Sequence, residues 1–449
     1  MTPGGRVGFG TNIPSSSGES ARQPPSSRES ASVKSLFQAE MQRERAGATC
    51  TLHGRPNSWM SAFRGPVTDV LASLPRTALC YDVFSRARDA GSVRRRPLGF
   101  HPPRFTLDAE VEWVLRRALG PLTWKPKMPV SGERLVDIAL RLDLAARIAA
   151  RQPRELIERE MGTKPAHRLR EQYVATVARG ALLDHALAQL LERARASEVT
   201  CVLLKHAALN RMGVLQVGSR VASDVDVLIP HARAREFQAI LKDNGYEDLG
   251  LPESSHQLPA LRDLNGVLIE LHVHVPLVTL TSGQPFARAD DLLAAGLAIQ
   301  SGDALIPDVP IVAAHAIAHG LMQHAQVPHV YSPLKTFADL ADLQRVRPSV
   351  IEQARAYLSG TMTADDLGSV QTLARALAEG DLEAAMAGGP GLILRHALAS
   401  QLDRRYAMRL RLGSLTEHRG TSVVRSPAQL FRSLRAAWDW ARSDPNRPL

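Results

Sequence analysis

Residues 218–230 read Gly-Ser-Arg-Val-Ala-Ser-Asp-Val-Asp-Val-Leu-Ile-Pro. Val225, Val227 and Ile229 alternate with Asp224, Asp226 and Leu228. Alternate residues of an extended strand share a face, so this spacing predicts a strand with its valines in a core and both carboxylates on the opposite side. A second alternation follows Asn265-Gly266, a two-residue hairpin signal. There Val267, Ile269, Leu271, Val273 and Val275 line one face, and Leu268, Glu270, His272 and His274 line the other. Two further strands are expected at 199–204, which holds Cys201 in an apolar run, and at 257–263, the first arm of the hairpin.

Elsewhere the apolar period is helical. A helix carrying Val111, Trp113, Val114, Leu115 and Leu119 is expected after Thr106 as its cap, ending at Gly120-Pro121. Pro126 and Pro129 mark a linker. Leu135, Ile138, Leu142, Ala145 and Ala149 predict one helix over 133–150. Leu169, Tyr173, Val177, Leu183, Leu187 and Leu190 predict a long helix over about 164–196. Shorter helices are expected at 205–212, stopped by Gly213, and at 231–244, closed by Gly245 in the left-handed position. Past Pro285 the pattern is helical again. The predicted helices are 309–322, with His315 and His319 one turn apart, 336–343, with Asp339 and Asp342, and an Ala/Leu/Arg-rich series over 350–410 broken at Gly388-Gly389-Pro390. A last helix starts at Ser426-Pro427, with Leu430, Leu434 and Trp438 as its stripe. The sum is an α+β fold, a small mixed sheet between N- and C-terminal helical regions.

Composition refines this picture. The 449 residues are 44% hydrophobic but only 5% aromatic, enough apolar side chains for a sizeable core with a helical lean. The net charge is +10, and most of the excess lies before residue 105. Residues 1–34 are Ser, Gly, Pro and Arg with few large apolar side chains, so they cannot offset their ordering entropy. Residues 1–104 are therefore expected to be a disordered or weakly ordered basic arm, with at most a short helix near Val67–Leu74. Cys50, Cys80 and Cys201 are scattered, which excludes a zinc ribbon or a disulfide framework. Neither a secretory signal nor a run of the roughly 20 apolar residues of a membrane span is present, so the expected location is cytoplasmic, with no membrane partner.

The chemistry gathers on the acids. Asp224 and Asp226 on one strand face repel unless a cation lies between them, and a hard divalent ion held by oxygen ligands is the usual solution. Glu270, alone among apolar neighbours in mid-strand, also needs a partner. If its strand lies beside that of Asp224, the three form the carboxylate cluster that two-metal nucleotidyl transfer requires.

The order of these features resembles an uncharacterised bacterial nucleotidyltransferase family of the polymerase-beta-like superfamily. The residues that carry the likeness run from Leu204-Lys205-His206-Ala207, through Arg220 and the Asp224/Asp226 pair, to Gly245-Tyr246, His256 and Ile269-Glu270-Leu271-His272, within about 165–345. The resemblance implies a nucleotidyltransferase core over 165–285, preceded by a helical region over 105–164 and followed by one over 286–449. It implies transfer of NMP from an NTP such as ATP to an unknown hydroxyl, borne by a small molecule, a protein or a nucleic acid. Asp224, Asp226 and Glu270 would be catalytic residues and ligands to Mg²⁺ or Mn²⁺; Lys205, His206 and Arg220 would bind nucleotide. Arg220 could meet the triphosphate or brace the carboxylates. The chain departs from the family pattern at His206, where the family carries the glycine that lets backbone approach the phosphates.

Two other readings stay open beside this one. In the first, the His206 substitution leaves a fold that binds nucleotide or a partner protein without turnover. In the second, His272 and His274 on the strand and His315 and His319 on the helix make a histidine-centred metallohydrolase.

Overall fold

A computed structural model describes residues 105–124, 130–250, 253–254, 256–280, 286–324, 331–407 and 409–410. The expected basic arm over 1–104, the linker prolines at 126 and 129 and the helix from Ser426 lie outside the described residues.

The N-terminal helices are α1 (Ala109–Ala118), α2 (Gly132–Arg141), α3 (Ala145–Arg151) and α4 (Arg154–Met161). The cap of α1 is Asp108, not Thr106: its carboxylate accepts from the Val111 N–H at 2.9 Å. The single helix expected over 133–150 is two. Asp143 takes φ +58 between them, a left-handed turn that aspartate tolerates better than most side chains. The long helix α5 spans Thr163–Ala196, 34 residues, and buries Leu169, Leu183, Leu187 and Leu190 as expected, with Tyr173 half-buried against the core.

The strands β1 (Val202–Leu203), β2 (Asp224–Leu228), β3 (Glu247–Asp248), β4 (Leu261–Arg262), β5 (Leu268–His272), β8 (Ala298–Ser301) and β9 (Ala304–Pro307) form one sheet in the order β3-β4-β5-β2-β1-β9-β8. It is mixed: β2 runs parallel to β5 and antiparallel to β1, while β1 runs parallel to β9. A separate pair joins β6 (Val275–Pro276) to β7 (Phe286–Ala287). The fold is thus α+β, as the alternation and the helical periods predict, though the sheet gains β8 and β9, which sequence reasoning missed. Both are short, and their alternation is diluted by exposed positions such as Ile299 and Gln300.

The core claims one side of the two central strands. Val225, Val227, Ile229, Val267, Ile269 and Leu271 are buried within it, which leaves the acids on the other side. The hairpin is real but its loop has three residues. Asp263 N–H donates to the Val267 carbonyl at 2.9 Å across Leu264-Asn265-Gly266, with Gly266 at φ +79. The first arm shrinks to Leu261–Arg262 because Pro259 has no N–H for the ladder; Leu258 still donates to Leu271 at 2.9 Å.

Between β1 and β2 lies α6 (Lys205–Arg211), and after β2 a 3₁₀ turn (His231–Arg233) leads into α7 (Ala234–Asp243), closed by Gly245 at φ +89. After α8 (Ala289–Ala294) the chain forms α9 (Val309–Ile317), then a π-helical turn (Ala318–Gln323), α10 (Pro333–Val346), α11 (Val350–Leu358), α12 (Ala364–Glu379), α13 (Leu382–Met386) and α14 (Gly388–Leu402). The expected break at 388–390 falls one residue earlier, at Ala387, and the glycines open α14. Arg147 on α3 makes two 2.6 Å hydrogen bonds to the Asp342 carboxylate on α10, which ties the first helices to the last block. Among the described residues no helix is long and apolar enough to cross a membrane.

Candidate active site

The parallel register of β2 and β5 sets Asp226 directly beside Glu270 and Leu228 beside His272. Strand β1 supplies the cation. Its antiparallel ladder with β2 continues one step beyond its end, where the Leu204 N–H donates to the Asp226 carbonyl at 3.0 Å. Lys205 therefore leaves the sheet level with the acids. Its Nζ lies 2.7 Å from Asp226 Oδ1 and 3.7 Å from Glu270 Oε2. His272 closes the group: its Nε2 lies 2.9 Å from the same Asp226 oxygen and 3.5 Å from Glu270 Oε2. Asp226 and His272 are almost fully buried, while Glu270 and Lys205 keep 13% and 16% of their side chains exposed toward a cleft of about 250 Å³. Asp224 also lines that cleft.

The electrostatics follow from burial and proximity. Burial alone pushes the Asp226 carboxyl up, but the Lys205 ammonium and the His272 hydrogen bond overcome this and hold it well below the usual carboxylate range. Burial disfavours the Lys205 ammonium too, and the charges of Asp226, Glu270 and Asp224 more than restore it. His272 is raised in the same way, with burial opposed by its hydrogen bonds to Asp226 and Glu270. Asp224 goes the other way. Burial and the neighbouring Asp226 charge push it up to about 6. The Lys205 and Arg220 charges only partly offset this, and a further positive charge in the cleft would relieve it.

This donor set fits a divalent cation. Ligand atoms of Asp226, Glu270 and His272 lie within 4.8 Å of one another, the only such group of three among the described residues. Two of the three are carboxylates, the hard oxygen ligands that Mg²⁺ and Mn²⁺ take, and an ammonium already stands among them as a stand-in positive charge.

The remaining residues expected from the sequence are placed less uniformly. Arg220 lines the cleft, but its Nε donates to both carboxylate oxygens of Asp339 on α10 at 2.8 and 3.0 Å, so its direct partner is neither Asp224 nor Asp226. Asp339 is 2% exposed, and its part in the site was missed; a buried acid inside an apolar helix stretch was the available signal. His206, in the first turn of α6, is not among the cleft-lining residues. Burial and the nearby Arg220 lower it to about 3, and its Nδ1 has no hydrogen-bond partner. His256 does line the cleft, with Nδ1 at 3.2 Å from Ser254 Oγ.

The four-histidine arrangement is not assembled. His272 belongs to Asp226, while His274 packs on Phe286 with ring centroids 4.7 Å apart. The π-turn redirects the helical histidines as well. The His324 N–H donates to the His319 carbonyl at 3.1 Å, an i→i+5 bond. In an α-helix, residues five apart diverge by about 140°. In the π-turn His319 and His324 meet instead, with Nε2 atoms 3.1 Å apart. His324 stacks on Tyr331, and both line the cleft with Gln323 and Lys335. The pairing of His315 with His319 expected from a period of 3.6 is kept, with ring centroids 5.9 Å apart; the π-turn that adds His324 was not visible in the sequence.

A mixed sheet that sets strand-borne acids side by side, with a lysine arriving from the neighbouring strand end, is consistent with the nucleotidyltransferase class. The family model described as an uncharacterised nucleotidyltransferase matches residues 129–361, just over half of the chain, and the chain belongs to that family. The match extends past the motif-bearing stretch at both ends, taking in α2–α4 and α11. No curated protein and no solved structure matches the chain.

Proposed function

We propose that the protein is a Mg²⁺- or Mn²⁺-dependent nucleotidyltransferase that moves NMP from an NTP, ATP among them, onto a hydroxyl acceptor. The observation that carries this reading is the register of β2 against β5, which brings Asp226 level with Glu270 beside Lys205. Asp226 and Glu270, with Asp224 and His272 at their sides, are the residues that would hold the metal. When bound, the metal would lower the pKa of the attacking hydroxyl and neutralise charge on the triphosphate. Lys205 and Arg220 line the same cleft and would draw the triphosphate to it, while His206 would act from the first turn of α6 rather than from the cleft wall. Glu270, partly exposed to the cleft like Asp224 and unlike the buried Asp226, would take the proton of the incoming hydroxyl. In-line attack at the α-phosphate releases pyrophosphate; the O–P bond to the acceptor forms as the bond to the β-phosphate oxygen breaks.

The acceptor would enter along the wall made by the π-turn and α10. His319, Gln323, His324 and Tyr331 offer hydrogen bonds there without a carboxylate among them. That chemistry suits a hydroxyl-bearing acceptor better than a polycationic one.

The test is incubation of the full chain with each α-labelled NTP, Mg²⁺ and cell extract, following which molecule gains the label. Asp226→Asn should lower labelling by about 10³-fold or more, because the charge that would hold the metal is removed. Label transfer that survives Asp226→Asn overturns the reading. A second reading, nucleotide binding without turnover, is favoured by His206 and by the engagement of Lys205 with acids rather than solvent. It predicts NTP binding with no pyrophosphate release.

A further inference from the structure

The position that a metal would take is already filled by a positive charge of the chain itself. Lys205 Nζ sits 2.7 Å from Asp226 Oδ1 and 3.7 Å from Glu270 Oε2, with Asp224 close enough to add to its stabilisation. These are the same oxygens that would ligate the ion. A divalent cation and an ammonium cannot both contact one buried carboxylate oxygen without strong repulsion. The lysine is also held in a costly backbone state. Its φ is +45, a left-handed conformation rare for a residue with a long side chain and typical of positions where strain serves function. The other cleft cations are committed elsewhere, Arg220 to Asp339 at 2.8 Å and Lys335 to Asp143 at 3.6 Å. Lys205 is thus the cation whose partners a metal would take over.

We propose that Lys205 is an internal counter-ion that closes the metal position until nucleotide arrives. Metal alone binds poorly, because it must displace an ammonium already paired with the same carboxylates. Metal with nucleotide binds well, because the displaced ammonium moves onto the phosphates. The two ligands therefore bind as a pair, and metal-catalysed side reactions in the nucleotide-free cleft are suppressed. This rests on the nucleotidyltransferase reading and adds to it a thermodynamic coupling between the two ligands, carried by one side chain.

The experiment measures Mn²⁺ binding to the full chain by the electron paramagnetic resonance of free Mn²⁺. Titrations are made with and without a non-hydrolysable ATP analogue, and are corrected for Mn²⁺ held by the analogue in solution. The wild type should bind Mn²⁺ weakly alone and much more tightly with the analogue. Lys205→Gln should bind Mn²⁺ alone about tenfold more tightly than the wild type, and the gain from the analogue should shrink. Mn²⁺ affinity of Lys205→Gln no greater than that of the wild type overturns the proposal while leaving the nucleotidyltransferase reading in place. Absence of Mn²⁺ binding in both proteins, even with the analogue, overturns that reading and the proposal with it. A wild-type measurement stands beside the variant in case Lys205→Gln does not fold. In the wild type the analogue should tighten Mn²⁺ binding by about tenfold or more, and equal affinities with and without it overturn the proposal.

Discussion

Asp339 is the residue on which the positive wall of the cleft depends. Its carboxylate is nearly fully buried and both its oxygens receive Arg220 Nε, whose side chain is 10% exposed. Removing one member of a buried pair leaves the other as an uncompensated charge, at a cost of about 3–5 kcal/mol. Asp339→Ala should therefore destabilise the chain by that order in urea unfolding, and Arg220→Met added to it should recover part of the loss. If the double variant is less stable than Asp339→Ala alone, the pair is not the origin of the effect. Gly218 matters for a different reason. It takes φ +71, and a Cβ there would lie 2.5 Å from Val177 Cγ2 and 2.7 Å from Tyr173 Cε2 on α5. Both strain and crowding oppose any side chain at the start of the segment that carries Arg220 and Asp224. Gly218→Ala should cost about 2–4 kcal/mol, read as a lower urea midpoint at unchanged slope.

The element that shapes the cleft opposite the acids is the π-turn. It packs against α10 so closely that a Cβ on Gly320 would lie 1.8 Å from Thr336 Oγ1. Gly320→Ala should lower stability by about 1–3 kcal/mol, and Thr336→Ala should restore much of it if this contact is the cause. A double-mutant cycle by thermal unfolding checks the pair; simple additivity would show the two positions to be independent. The same element explains where sequence reasoning stopped short. The acids on β2 and β5 were legible because a strand has a period of two whatever it packs against. The His315/His319 pair stands, with ring centroids 5.9 Å apart, but the His319–His324 contact was missed because a one-residue change of hydrogen bonding, from i+4 to i+5, leaves no mark on the hydrophobic pattern. Thr106 gave way to Asp108 as a cap for a similar reason: both can cap, and the register of α1 chooses between them.

Across the whole molecule, burial keeps several histidines neutral. It lowers His206 and His315 to about 3 and His324 to about 4, and holds His319 well below its ordinary value. A histidine whose folded pKa is depressed binds its proton first in the unfolded chain. Its effect on stability is absent at neutral pH and turns unfavourable as pH falls through the unfolded value near ~6.5. Each group then steepens the loss by about 1.4 kcal/mol per pH unit until its folded pKa is reached. His272, which is raised, opposes this trend but is one group against five, His256 being lowered to about 2 as well. The thermal midpoint should fall steadily between pH 7 and 5 by scanning calorimetry, more steeply than a chain with solvated histidines. A flat midpoint over that range would show these imidazoles to be hydrated in solution.

The sequence by itself determined which acids lie on β2 and β5 and which side of each strand they take. It did so because alternation and turn residues are local, and Val225, Val227 and Ile269 have only one way to reach a core. It also placed the long helix α5 and the hairpin ahead of β5. Tertiary structure decided the pairings: Asp226 beside Glu270, Lys205 between them, Arg220 on Asp339 and His319 on His324. Those contacts join residues 5–119 positions apart, and no local pattern specifies a distance in space. What settles them is the order of strands in the sheet and the packing of the helices that follow it, which are properties of the packed molecule.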